Sequence, residues 1–496
     1  MGCLSNAVLA LLITSAASES VSWFQTAAST ADRLTEQTPL SFSSQSSDDA
    51  IEITIDTTKT FQKIHGFGGA LTQSSATVYK QLPEELQAAV IEAYYGPTGI
   101  GYTTGRMPIH SCDFSVDTYT FDDVAGDYDL EKFDTTVAYD QNLSLPMIHA
   151  AIAANPSLKL FGSPWSPPAW MKDNNDMLWG GSLLDEAKES WAQYFAKWIT
   201  AYEAQGVPVW GVTVQNEPEA KQPWESCIYT PEQTRDFVAE HLGPALEEAH
   251  PDVKILGYDH NKDHIEEWAD ALLGADSASA KYMDGIAFHW YSGSCFDNVA
   301  NVAESYPDAL LLPSEACFEL TVLSDDEGEA TWIANGTWSK GEGYGYDIMG
   351  DLNAGSSGWT DWNILLDHEG GPNHVNNFCD APVIADLRED AERAVYLHPQ
   401  YFYLGHFSKF LLPDSVRVHS TVGGSDAPGG DCAWPYGGCD ATTLQATAFL
   451  RPDGQTAVVV MNCGEDKEMK LAAEGGVITN TVPANSIQTY LLPAAN

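Results

Sequence analysis

Basic residues are scarce in this 496-residue chain: 23 Lys and Arg stand against 70 Asp and Glu, a net charge of −47 at neutral pH. A surface this acidic repels phosphate backbones and anionic membranes, which argues against nucleic acid as a partner. Cysteine is sparse as well. Nine cysteines in so long a chain do not make a disulfide-built scaffold, and the lack of any Cys-x-x-Cys argues against a thiolate zinc site. No segment reaches the roughly 18 apolar residues of a membrane helix, so an integral membrane protein is not expected. No Gly-x-Ser-x-Gly elbow introduces a hydrolase triad, and Gly66-Phe67-Gly68-Gly69 lacks the spacing of a phosphate loop. What the chain does have is material for a core: 44% of residues are apolar, with 15 Trp and 21 Tyr. Global disorder is thereby excluded, and the length suits one large domain with a smaller one attached.

Residues 1–19 carry an apolar stretch from Ala7 to Ile13 followed by small residues, the pattern of a secretory signal peptide. The expected destination is the secretory pathway, either secretion or the lysosome. Asn142-Leu143-Ser144 and Asn335-Gly336-Thr337 are glycosylation sequons compatible with that route. Cys432 and Cys439, flanking a Trp-Pro-Tyr-Gly-Gly turn, are the expected disulfide, while pairings among Cys295, Cys379 and Cys463 are open.

Between about residues 60 and 363, short apolar runs alternate with helical patterns, the signature of repeated β-α units. The runs are Gly66–Leu71, Ile100–Pro108, Leu158–Trp165, Val209–Gln215, Val253–Tyr258, Gly285–Tyr291, Ala309–Ser314 and Gly358–Asn363. Eight such runs close a (β/α)8 TIM barrel, expected over 63–410. Period-two alternation in Ile51–Asp56, Thr443–Leu450, Ala457–Met461 and Ser486–Leu491 predicts β-sheet without helices. The class is therefore α/β, with an appended β-sandwich over 411–496 joined by N-terminal strands from 20–62.

In such a barrel, chemistry sits where strands end. The fourth run closes in Gln215-Asn216-Glu217-Pro218 and the seventh in Pro313-Ser314-Glu315-Ala316. Pro218 disfavours the α conformation at Glu217, which predicts an extended carboxylate at the strand end. Two carboxylates facing each other across a barrel mouth suit glycoside cleavage, in which one protonates the leaving oxygen and the other attacks the anomeric carbon. Asn216 is placed to bond a sugar 2-hydroxyl. Asp259-His260-Asn261-Lys262-Asp263-His264 holds two imidazoles at i and i+4 but reads as a loop with local hydrogen bonds, so no metal site is assigned.

Phe61-Gln62-Lys63-Ile64-His65-Gly66-Phe67-Gly68-Gly69-Ala70, Ser111-Cys112-Asp113-Phe114-Ser115, Ser163-Pro164-Trp165, Asn216-Glu217-Pro218, His289-Trp290-Tyr291, Ser314-Glu315-Ala316-Cys317, Gly358-Trp359-Thr360-Asp361-Trp362-Asn363 and Gly405-His406-Phe407-Ser408-Lys409-Phe410 together resemble glycoside hydrolase family 30, in particular its glucosylceramidases. The resemblance runs from about residue 60 to the C-terminus. It implies a retaining β-glucosidase that needs no cofactor, with Glu217 as acid/base and Glu315 as nucleophile. Asp113, Trp165, Asn216, Trp359 and Asn377 match glucose-binding positions, with Tyr291 at the rim and Arg106 in support. Cys112, Cys227 and Cys317 match unpaired cysteines. The implied substrate is a glycolipid or β-glucoside, and lipid or activator-protein dependence is open. The loop from Pro218 to Cys227 is shorter than in vertebrate glucosylceramidases, so the sugar is better specified than the aglycone. An endo-β-1,6-glucanase or a β-xylosidase is the nearest alternative, and a non-catalytic carbohydrate-binding protein a more distant one. With both carboxylates close, the pKa of Glu217 is expected to rise, giving an acid optimum.

Overall fold

The computed structural model describes residues 20–43, 50–320, 329–425, 432, 438–473 and 476–494. The expected signal peptide lies outside these residues.

Eight parallel strands form the barrel: β1 (Gly66–Ala70), β2 (Thr104–Ile109), β3 (Lys159–Pro164), β4 (Val209–Thr213), β5 (Lys254–Asn261), β6 (Gly285–His289), β7 (Leu310–Glu315) and β8 (Gly358–Asn363). From β1 to β7 each pairs with its sequence neighbour, and β8 pairs with β1. Backbone bonds from Ser357 N to Leu311 O and from Trp362 N to Ala316 O, both 2.8 Å, tie the β7 edge to β8 and close the cylinder. All eight apolar runs read from the sequence fall on these strands. They are legible because strands covered by helices outside and filled inside carry apolar residues nearly throughout. Helix Lys188–Ala204 shows the complementary pattern, burying Trp191, Phe195, Trp198 and Ile199 at helical spacing.

The β-sandwich orders its main strands as Ser20–Ala27, Ser486–Leu492, Thr456–Asn462, Gln445–Leu450, Val416–Val422, Ile51–Lys63, Lys467–Ala473 and Gly476–Val482. The N-terminal strand pairs antiparallel with the C-terminal one, Trp23 opposite Tyr490. Strand Thr456–Asn462 is buried along its whole length because it has two neighbours: Val458 and Val460 enter the sandwich core, while Ala457, Val459 and Met461 face the barrel's helices. His406, on helix Pro399–Ser408, bonds Thr489 and Thr26 across the junction at 2.8 and 3.0 Å.

The disulfides differ from the expected pair. Cys432 joins Cys295, at the start of helix Phe296–Ser305, and Cys439 joins Cys463. Sequence proximity favours a local bridge, yet Cys432 bonds a partner 137 residues away. Cys112, Cys227, Cys317 and Cys379 are free and buried.

Candidate active site

The C-terminal ends of the strands surround a cavity of about 390 Å³, lined by both candidate carboxylates together with Asp113, Trp165, Asn216, Tyr291 and Asn377. Glu315 ends β7, and Glu217 follows β4 by four residues. His289 Nδ1 lies 3.3 Å from Glu217 Oε1 and 4.0 Å from Glu315 Oε1, so the two carboxylates share one imidazole on one mouth of the barrel.

Arg106, on β2, organises the floor. Its Nε donates to Ser163 Oγ at 3.0 Å, Nη1 donates to Glu315, and Nη2 donates to Asn216 Oδ1 and Asp259 Oδ2 at 2.9 and 2.8 Å. The guanidinium also sits 4.7 Å above the Trp165 ring, which stacks on Trp362 at 5.1 Å. A fully buried cation needs such partners, because an unpaired one is expensive. Tyr291 Oη donates to Glu315 Oε1 at 2.9 Å, and Asn377 Nδ2 donates to Asp113 Oδ2 at 2.9 Å. Asp113 Oδ1 has no partner among the described residues and belongs to a cavity-lining carboxyl.

Three strands slip register by one residue at this end, leaving Asp259, Ser314 and Trp362 without a ladder partner. In β5 the slip breaks the two-residue alternation and re-aims a side chain. Asp259, with φ +64°, turns its carboxylate to Arg106, to His289 Nε2 at 3.0 Å and to Ser314 Oγ at 2.5 Å. Alternation along β8 corrects the expected aromatic, since Trp359 and Trp362 stand three positions apart and so on opposite faces of the strand. Trp359 is buried in the wall, its Nε1 donating to Asp347 Oδ2 at 3.0 Å, and Trp362 lines the cavity instead. The segment around His260 is likewise strand and not loop, since β5 continues to Asn261.

Glu217 is not extended. Its φ is +46°, and its N–H donates to Asp259 O at 3.0 Å. Proline at the next position excludes the right-handed α region but leaves the left-handed one, which costs about 1–3 kcal/mol and is met where the surrounding structure over-determines it.

The electrostatics also depart from the sequence expectation. Against burial, the hydrogen bond from His289 and the charges of His260 and His289 hold Glu217 below its ordinary value. Burial, only partly offset by His289 and Arg106 and reinforced by Glu217 and Asp259, pushes Glu315 up. His289 is raised to about 9 despite burial, by the charge of Glu315 and hydrogen bonds to Asp259 and Glu217. Three carboxylates, Glu217, Asp259 and Glu315, thus face two cations, Arg106 and His289. The excess negative charge lets the carboxylate pair take up one shared proton on acidification. The expected rise at Glu217 omitted His289, a neighbour visible only once the strands are assembled. One polar atom from each of Glu217, His260 and His289 lies within 4.8 Å of the other two.

This arrangement of paired strand-end carboxylates can be compared with known proteins. Residues 64–411 match the Glycosyl hydrolase family 30 TIM-barrel domain and residues 414–490 its beta sandwich domain. The chain belongs to glycosyl hydrolase family 30. It is a glycoside hydrolase. The lysosomal acid glucosylceramidase of Mus musculus is 36% identical over 456 residues, covering 88% of this chain and 83% of that protein. An endo-1,6-beta-D-glucanase of Neurospora crassa is 29% identical over 90% of this chain and 88% of its own. The crystal structure of SrfJ from Salmonella typhimurium superposes with a TM-score of 0.84 at 31% identity, covering 96% of this chain and all of that one. Within this family 30 chain, Asp259, His260 and His289 stand around the two carboxylates, although the motifs gave them no role. Their signals in the sequence are their place at the ends of the fifth and sixth apolar runs, the His289-Trp290-Tyr291 motif and the two imidazoles of residues 259–264.

Proposed function

We propose that the protein is a retaining β-glucosidase that releases glucose and ceramide from glucosylceramide. The reading rests on one observation: Glu217 and Glu315 flank His289 on the wall of a cavity sized for a sugar and lined by Asp113, Asn377, Trp165 and Trp362. Glu315, aligned by Arg106 and Tyr291, attacks the anomeric carbon while Glu217 protonates the departing oxygen. Glu217 then takes a proton from the water that hydrolyses the glycosyl-enzyme. Asp113, Asn216, Asn377 and Trp165 position the glucosyl unit, with Tyr291 at the rim.

The similarity to a glucosylceramidase favours ceramide as the aglycone. So does an apolar flank: Trp224 lines the cavity, and the exposed Trp179 is tied by its backbone N–H to Gln222 O at 2.9 Å, beside that mouth. The same route through the secretory pathway as its lysosomal relative belongs to this reading. No helix among the described residues is long and apolar enough to cross a membrane, so the lipid substrate is reached from a bilayer or micelle surface, with anionic lipid or an activator protein presenting it. The second reading, an endo-β-1,6-glucanase, is favoured by the Neurospora relative. Purified protein assayed on glucosylceramide, with and without anionic lipid, on β-1,6-glucan and on an aryl β-xyloside separates the readings. Glucosylceramide turnover with a β-configured first product supports the proposal. Preferential cleavage of the glucan, or inversion at the anomeric carbon, overturns it.

A further inference from the structure

We propose that Glu217, His260 and His289 form an inhibitory site for a borderline or soft divalent cation such as Zn²⁺ or Cu²⁺. The ligand atoms of the three lie within 4.8 Å of one another. Two of them, Glu217 Oε1 and His289 Nδ1, are 3.3 Å apart, the edge of a tetrahedron drawn by about 2 Å metal–ligand bonds. His289 is oriented for ligation. Asp259 Oδ1 accepts from its Nε2 at 3.0 Å, so Nδ1 is the nitrogen left to face a metal, in the carboxylate–histidine–metal arrangement that fixes a ligand imidazole. His260 contributes an independent sign: its buried Nδ1 has no hydrogen-bond partner among the described residues. Its ring stands 6.5 Å from that of His289, nearly perpendicular to it.

Two imidazoles and one carboxylate with an open fourth position suit zinc or copper, and an oxygen-seeking ion such as Mg²⁺ or Ca²⁺ is not held by such a set. Binding exchanges one ion for one proton: M²⁺ takes the lone pair on His289 Nδ1, and the proton that nitrogen carried goes to solvent. The metal occupies the Glu217 oxygen that the reaction uses to move its proton, so metal-bound enzyme does not turn over. The sign is opposite to that of a metalloenzyme, because a chelator restores activity. The effect on turnover rests on Glu217 as the acid/base; the binding itself does not.

The test uses tag-free full-length protein stripped with a chelator. Co²⁺ titration is expected to give tetrahedral d–d absorption saturating at one equivalent, and Zn²⁺ to displace it and inhibit aryl β-glucoside hydrolysis reversibly. His260→Gln and His260→Ala, each measured against its own metal-free rate, are expected to raise the half-inhibitory zinc concentration by about tenfold or more. His264→Ala removes the neighbouring imidazole that pairs with Glu219 at 3.0 Å and is expected to leave zinc sensitivity unchanged. Wild-type zinc sensitivity in both His260 variants, loss of sensitivity in His264→Ala, octahedral cobalt, or activity abolished by the chelator each overturn the proposal. Should the glucosidase reading fail, the cobalt spectrum and its loss in the His260 variants still decide the site.

Discussion

Two buried aspartates have nearly the same surroundings and different consequences. At the barrel mouth, Asp259 accepts from Arg106 and Thr213 on one oxygen, at 2.8 and 2.6 Å, and from His289 and Ser314 on the other, at 3.0 and 2.5 Å. Next in the chain to the cavity-lining Cys379, Asp380 accepts from Lys340 and Gln400 on one oxygen, both at 2.9 Å, and from His398 and its neighbour's N–H on the other, at 3.1 and 2.9 Å. Against burial, their cationic partners hold both far below the ordinary carboxylate range. The difference lies one bond further out. His398 spends its second nitrogen on Ile333 O at 3.1 Å, closing the network. His289 and Arg106 turn theirs to Glu217 and Glu315 on the cavity wall. A buried charged network therefore does not mark a site by itself; one that ends on carboxylates facing a cavity does.

The comparison breaks or sharpens under substitution. The largest effect is expected for Glu315→Gln, which removes the nucleophile and leaves Arg106 paired with Asp259: kcat on an aryl β-glucoside falls by about 10⁴-fold or more, with the melting temperature unchanged or higher. A well-folded variant with near-normal turnover would sink the assignment. Glu217→Gln is expected to lose about 10²–10⁴-fold on substrates with poor leaving groups, while activated substrates still trap as a glycosyl-enzyme, seen by mass spectrometry. Asp380→Asn is the mirror image. It strands Lys340 and His398 and costs about 3–5 kcal/mol of stability in urea unfolding, but the pH–rate profile of the folded fraction stays in place. If that profile moves instead, the closed network is coupled to catalysis and the contrast fails.

His289→Gln tests the open network. Losing the imidazolium removes a cation from both carboxylates, with Arg106, Asp259 and His260 left facing them, so the pKa values of Glu217 and Glu315 both rise. Both limbs of the pH profile of kcat/KM are then expected to move to higher pH. A shift to lower pH, or none, means that His289 is not the charge the pair senses.

How much of this is legible in the sequence follows from the range of the interactions. The barrel strands announce themselves as apolar runs, and Glu217 and Glu315 as the acids that close two of them, because both signals are local. Strands Val416–Val422, Lys467–Ala473 and Gly476–Val482 are partly exposed and carry no such run. The choice between Trp359 and Trp362 hinges on which face of β8 looks into the barrel, and a strand buried on both faces carries no alternation to tell them apart. The left-handed turn at Glu217 and the lowered pKa of its carboxyl depend on neighbours 42 and 72 positions away, Asp259 and His289. Cys432 finds Cys295 only because the chain returns to the barrel.

The smallest expected effect concerns Asp113. Burial first, and then the charge of Glu315, push its carboxyl up to about 8, against the hydrogen bond from Asn377. At pH 5–7 the folded protein therefore binds a proton that the unfolded chain, with an ordinary carboxyl, has lost. Stability from this group is full at acid pH and is lost as pH rises through the folded value, by about 1.4 kcal/mol per unit. Asp113→Asn keeps the shape and removes the titration. In urea unfolding at pH 5, 6 and 7, the variant is expected to gain on the wild type at that slope as the pH rises. A stability difference that stays flat across the window means that Asp113 is already ionised in the folded protein. Its unpartnered Oδ1 would then face the cavity as an acceptor only, and not as the hydroxyl of a neutral acid.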